Sequence, residues 1–220
     1  MSDIFSEVDE EVRRERMQRL WNRYYPLILT VAVLIVVGIA AWRGYEYWMA
    51  QKAAAAGADF EAAVTLSEAG KYADAEKAFA KVVAEAPAGY ALLGRFRAAA
   101  ELVEANPGKP AEAVKAYDAL AGDASLGPVW QDLAALRAGM LLVDTAPLAD
   151  LQKRLDPISE PGRVYRHSAR ELLALAAWRS HDLKAAQHYI DLISGDGETP
   201  PGTRQRVELL SAVMAANGKS

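Results

Sequence analysis

The chain has 220 residues, enough for a short membrane segment and one domain of about 170 residues, and it contains no cysteine. A disulfide framework, a thiolate zinc site and a cysteine nucleophile are therefore excluded. The net charge of −4 at pH 7, divided as −1 over residues 1–23 and −3 over residues 43–220, offers no basic field for nucleic acid.

Residues 1–23 predict a short helix on the cytoplasmic side. Ser6 and Asp9 have the spacing of a capping box. Glu10 with Arg14, and Glu15 with Arg19, are i,i+4 pairs in the favourable order. The segment reads as a solvated carrier of charge or as a docking element for a membrane partner. Its five arginines, Arg13, Arg14, Arg16, Arg19 and Arg23, contrast with Arg43 and Lys52 on the other side of the next element.

That element, Tyr24 to Trp42 (YYPLILTVAVLIVVGIAAW), has no charge over 19 residues. As a helix it is roughly 28 Å long, close to the ~30 Å hydrocarbon core of a bilayer. Ten of its residues are Leu, Ile or Val. Together these favour insertion by about 3 to 6 kcal/mol, before small opposing contributions from Pro26, Thr30 and Gly38. A buried core helix rarely runs this long without a charge. The excess of arginine before the span places the N-terminus in the cytoplasm and everything after Trp42 across the membrane. Trp21, Tyr24 and Tyr25 mark one interface, and Trp42, Tyr45, Tyr47 and Trp48 the other. A cleaved signal peptide is the rival reading. It fits less well, because the leader is long and acid-rich and no clean small-x-small site follows the apolar run.

Residues 43–56 predict a juxtamembrane helix. No proline occurs from Trp42 to Ala69, so the helix is expected to continue into the next domain.

Residues 57–220 read as helix after helix, giving an all-α chain: one N-terminal span followed by a tetratricopeptide-like solenoid of helical hairpins. Strand-type alternation is absent. Breaks are expected at Gly70-Lys71, Ala86-Pro87, Asn106 to Pro110, Gly122 to Pro128, Ala146-Pro147, Asp156 to Gly162, His181-Asp182 and Gly195 to Gly202. The first hairpin carries Tyr72, Ala75 and Phe79, ending at Pro87. This is a glycine turn, an aromatic, a small residue at the helix crossing, a second aromatic and a stop. The frame returns as Ala113, Tyr117 and Leu120, and again as Leu183, Ala186, Ile190 and Ile193. First helices echo one another too. Phe96-Arg97-Ala98 with Leu102-Val103-Glu104 recurs 40 residues later as Leu136-Arg137-Ala138 with Leu142-Val143-Asp144. Residues 201–216 look like a terminal capping helix.

The chemistry expected of this domain is that of a surface. His167, His181 and His188 have no metal-site spacing, and there is no nucleophile elbow and no phosphate-binding loop. No enzymatic activity, metal or cofactor is expected. A solenoid binds peptides or helices of other proteins. Arg95, Arg97 and Arg137 are candidates to capture carboxylates there, with Tyr165, Arg166 and Arg170 as a second group. The alternative for each is a solvated face or a salt bridge between repeats.

The arginine-bearing N-terminus, the single span and the tetratricopeptide-like domain resemble the YfgM-type ancillary subunits of the bacterial Sec translocon. The stretch His167 to Ala177, then Asp182 to Ala186, then Thr199-Pro200 and Arg204-Gln205-Arg206, is similar to the end of alphaproteobacterial members. The resemblance covers essentially the whole chain and brings no catalytic residue with it. It implies a single-pass inner-membrane protein with a periplasmic domain. Its partners would be the SecYEG channel, a membrane-anchored periplasmic chaperone of the prolyl-isomerase type, and newly translocated client proteins. A scaffold for another envelope complex, such as division or secretion machinery, is the alternative.

Overall fold

The structure, a computed structural model, describes the backbone of residues 3–108 and 110–217, and the side chains of residues 13–108 and 110–216. The side chains of Ser6, Asp9 and Glu10, and Lys109 of a predicted break, lie outside the described residues; the backbone is already helical from Asp3, so Ser6 stands inside the helix and does not cap its start. Among the described residues the chain forms nine α-helices and no strand. They are α1 (Asp3–Glu68), α2 (Tyr72–Glu85), α3 (Ala88–Ala105), α4 (Ala111–Ala121), α5 (Pro128–Leu142), α6 (Leu148–Ser159), α7 (Arg166–Arg179), α8 (Leu183–Ser194) and α9 (Pro201–Asn217). Two compact units divide the chain, residues 1–55 and residues 56–220, and α1 contributes to both.

In the first unit α1 runs without interruption through the apolar segment. Its helix contains Pro26, which has no N–H to give to the preceding turn. The Thr30 hydroxyl donates to the Pro26 carbonyl at 2.8 Å, which satisfies a polar group in an otherwise apolar stretch. Leu27, Ile28, Leu29, Val31, Val33, Leu34, Ile35, Val36 and Val37 are all exposed. The helix is long and apolar enough to cross a membrane, and its most apolar window has no buried residue.

The second unit stacks hairpins in chain order. The end of α1 packs on α2 through Ala63, Ala75 and the Phe60–Phe79 ring pair, whose centroids are 5.2 Å apart. The pairs α3 with α4, α5 with α6 and α7 with α8 follow, and α9 packs on α7 and α8. Second helices of the hairpins share one buried spacing. It is Ala75, Phe79 and Val82 in α2, Ala113, Tyr117 and Leu120 in α4, and Ala186, Ile190 and Ile193 in α8. Tyr72, the other predicted packing aromatic, is only half-buried.

The sequence frame passes over α6, where Leu151, Leu155 and Ile158 occupy the same spacing. Leucine stands there in place of the small residue. The predicted break at Asp156 to Gly162 also begins too early, since α6 continues through Pro157 to Ser159. Pro157 removes one i→i−4 hydrogen bond, and the disturbance is confined to the last turn of the helix. The partner helix supplies the missing space. A Cβ on Gly139 of α5 would lie 2.9 Å from Leu155 Cδ2, so the two helices cross where glycine stands.

The turn joining α1 to α2 and the turn joining α7 to α8 have the same hydrogen bonds. Lys71 N–H donates to Leu66 O and Gly70 N–H to Ser67 O, each at 2.9 Å. Asp182 N–H donates to Ala177 O at 2.9 Å and His181 N–H to Trp178 O at 3.0 Å. Both turns place a residue in the left-handed region, Gly70 at φ 73° and His181 at φ 59°. His181 is therefore a turn residue in a strained conformation.

Candidate protein-interaction surface

Arginines bridge successive helices of the stack. Arg95 of α3 donates to Asp123 at 2.7 Å, and Arg154 of α6 reaches Asp118 of α4 with both terminal nitrogens. Arg163 donates to Asp132 of α5 at 2.6 Å. Arg179 of α7 donates to the carbonyls of Asp144 and Ala146 in the turn before α6. Arg206 of α9 forms a two-pronged pair with Glu171 of α7 at 2.5 and 2.7 Å. The planar guanidinium fork suits these contacts because it can serve two acceptors at once.

Asp196, after α8, is the hub of the last junction. It accepts from Arg166 Nε at 2.8 Å, from Arg170 Nη1 at 3.0 Å and from the Glu198 N–H at 3.0 Å. The Arg166 hydrogen bonds, with the Glu198 N–H behind them, hold its carboxyl well below the usual carboxylate range. Arg166 also reaches Glu198 at 2.5 Å. Arg170 is 4% exposed and also donates to the Ser159 and Leu192 carbonyls. His167 lies beside this cluster, with Nδ1 at 3.1 Å from the Thr199 hydroxyl. Burial, more than the nearby charges, pushes its pKa down. Asp123 is lowered to about 2 by hydrogen bonds from Ser125 and then Arg95. Asp132 is raised, because burial outweighs Arg163.

The two predicted arginine groups thus separate. Arg166 and Arg170 are tied within the α7–α8–α9 junction, and Tyr165 packs half-buried on the core beneath them. Arg95 is engaged by Asp123 and lines a groove of about 360 Å³ between α2 and α4, floored by α3. None of these three arginines offers an uncommitted guanidinium, because Asp196 and Asp123, from distant parts of the chain, fold back onto them. Arg137 is different. It is exposed, and it makes no ion pair or hydrogen bond among the described residues. Arg97 is intermediate: half its side chain is covered, its guanidinium lies 5.5 Å from the Phe79 ring centroid, and its nearest carboxylate, Glu101, is 4.0 Å away.

Arg97 and Arg137 act on one group. Burial raises the Tyr117 pKa, and the Arg137 and Arg97 charges oppose that rise. The rings of Phe96 on α3 and Trp130 on α5 are 5.8 Å apart. α3 and α5 therefore meet at this ring pair. Leu93 of α3 and Val129, Trp130 and Met140 of α5 are exposed. Sequence reasoning passed over these apolar residues, although Trp130, Arg137 and Met140 recur at helical spacing on a face that a soluble helix would fill with polar residues. In the first unit the five N-terminal arginines are all exposed, with Arg19 paired to Glu15 at 2.7 Å.

A family model described as a tetratricopeptide repeat-like domain matches residues 18–172. The chain belongs to this tetratricopeptide repeat-like family. No curated protein and no solved structure matches it. The match begins before the apolar segment and ends inside α7. The repeat frame continues past it, in Ala186 and Ile190 of α8. Tetratricopeptide-like domains are protein-protein interaction modules.

Proposed function

We propose that this tetratricopeptide-like protein is a membrane-tethered interaction module that serves as an ancillary subunit of the Sec translocon. Residues 1–23 stay in the cytoplasm, residues 24–42 span the inner membrane, residues 43–56 form a juxtamembrane helix, and residues 57–220 form the periplasmic domain. That domain links the SecYEG channel to a membrane-anchored periplasmic chaperone of the prolyl-isomerase type and to newly translocated clients. The observation that carries the tether is the family match, which takes in the apolar segment and the hairpins as one unit. The translocon role is supported by the resemblance of the whole layout, and of the stretch from His167 to Arg206, to the YfgM-type subunits.

Affinity purification of the tagged full chain from membranes in mild detergent, with partners identified by mass spectrometry, tests this. Recovery of the Sec channel together with a periplasmic chaperone is the expected result. Recovery of another envelope complex without the channel would overturn the translocon role and favour a division or secretion scaffold.

A further inference from the structure

The arginines before the apolar span are placed as well as counted. The positive-inside rule counts them and does not ask which side of a helix they occupy. In α1, Arg16, Arg19 and Arg23 stand at i, i+3 and i+7 of one continuous helix, so they share a face. All three are exposed. Glu15 pairs with Arg19 at 2.7 Å, and both side chains are more than half exposed, so the pair is a weak one. Arg16 and Arg23 have no acid three or four positions away in either direction. Arg13 and Arg14, by contrast, follow Asp9, Glu10 and Glu11 at those spacings. Like charges three and four apart on a helix repel one another, and one carboxylate does not offset three guanidiniums. The opposite side of the same turns carries Trp21 and Tyr25, whose ring centroids are 5.8 Å apart. The segment thus has a guanidinium side and an aromatic side.

We propose that Arg19 and Arg23, with Arg16 behind them, form a binding site for the headgroup phosphate of an anionic phospholipid. Depth and charge select that occupant. Arg23 adjoins the uncharged stretch, and Arg19 lies about 6 Å further out along the helix. The polar layer on each side of a bilayer is roughly 5 to 8 Å thick, so both arginines stand at the level of the headgroups. Each guanidinium fork can donate two N–H groups, and a phosphodiester offers two unesterified oxygens to receive them. A net positive face favours a headgroup with no cation of its own, which sets an anionic lipid above a zwitterionic one. Trp21 and Tyr25 lie at the same level on the other side, where amphipathic rings seat among neighbouring lipids. An acidic helix of a membrane partner has the right charge too, but phosphates stand at this depth all around the helix. The proposal rests on the reading of residues 24–42 as a membrane span, and not on which complex the protein joins.

The test uses the full chain in nanodiscs of equal phosphatidylglycerol and phosphatidylcholine at physiological ionic strength. The discs are dissolved in mild detergent, and the lipids that stay on the chain are counted by native mass spectrometry. Phosphatidylglycerol should be retained in preference to phosphatidylcholine. Arg19→Gln combined with Arg23→Gln should lower that preference about thirtyfold, near fivefold for each arginine. Arg13→Gln combined with Arg14→Gln removes the same charge about 15 Å or more from the span, beyond a Debye length. That variant should keep the preference within about twofold. All four positions are exposed and glutamine suits a helix, so both variants should keep the wild-type far-UV spectrum. Equal retention of the two lipids by the wild-type chain would overturn the proposal, and it is the result expected if an acidic partner helix is the true occupant. Equal losses in the two variants would also overturn it, since total charge and not a site would then set the preference. Carbonate extraction of membranes separates this failure from that of the tether. A chain released by carbonate overturns the tether and the site together, whereas one that stays in the membrane and holds both lipids alike overturns the site alone.

Discussion

Replacing Gly139 by alanine sets two known effects against each other. In a helix interior alanine is favoured over glycine by about 1 kcal/mol. Against this, the new Cβ would stand 2.9, 3.1 and 3.3 Å from Leu155 Cδ2, Cδ1 and Cγ. Leu155 is fully buried, so its side chain has no open space to move into. Overpacking of a filled core costs about 1 to 3 kcal/mol. Packing should therefore outweigh propensity, with a net loss of up to about 2 kcal/mol. For a chain of this length that is roughly 4 to 8 °C in Tm. Gly89 on α3 is the matched control, since a Cβ there meets nothing within 4 Å. Gly89→Ala should be neutral or stabilising. Far-UV circular dichroism melts of the detergent-solubilised full chain measure both variants. A double-mutant cycle with Leu155→Val should show coupling of about 0.5 to 3 kcal/mol, because trimming Leu155 makes room for the methyl group. If Gly139→Ala stabilises the protein as Gly89→Ala does, the close crossing of α5 and α6 is wrong.

Three further outcomes are expected. His181→Gly should raise stability by up to about 1 kcal/mol, because it relieves a left-handed conformation where the equivalent first turn already has glycine; an unchanged or lower melting temperature counts against the strained turn. The pH dependence should show two regions. His167 has a depressed folded pKa, so the unfolded chain binds its proton first and stability falls as pH drops below about 6.5. Asp123 and Asp196 are also depressed, so their contribution is complete above about 4 and is lost as pH falls towards 2. Denaturant midpoints from pH 8 to 2 read this directly; His167→Gln should remove the upper region and leave the lower one. Finally, changing Arg13, Arg14, Arg16, Arg19 and Arg23 to glutamate should scramble topology, and a reporter fused at the C-terminus that still reads as periplasmic would contradict the proposed orientation.

The helical class and the hairpin frame were legible in the sequence because their causes are local. An uncharged stretch forms a helix that suits a bilayer wherever it occurs, and a buried face repeats at helical spacing whatever it packs against. Ala75 with Phe79, Ala113 with Tyr117, and Ala186 with Ile190 could be found for that reason. α6 was missed because the small residue at its crossing is Gly139 on α5, so the spacing rule was satisfied by a different segment. The arginines were decided only by the tertiary structure. Arg95 and Arg137 look alike as residues on first helices, but Asp123 folds back onto Arg95, while no described residue reaches Arg137. Arg166 and Arg170 meet Asp196 from 30 and 26 positions away. Helical spacing reports which residues share a face of one helix. Whether a charge on that face is satisfied depends on how the next hairpin stacks, and that is a property of the assembled solenoid.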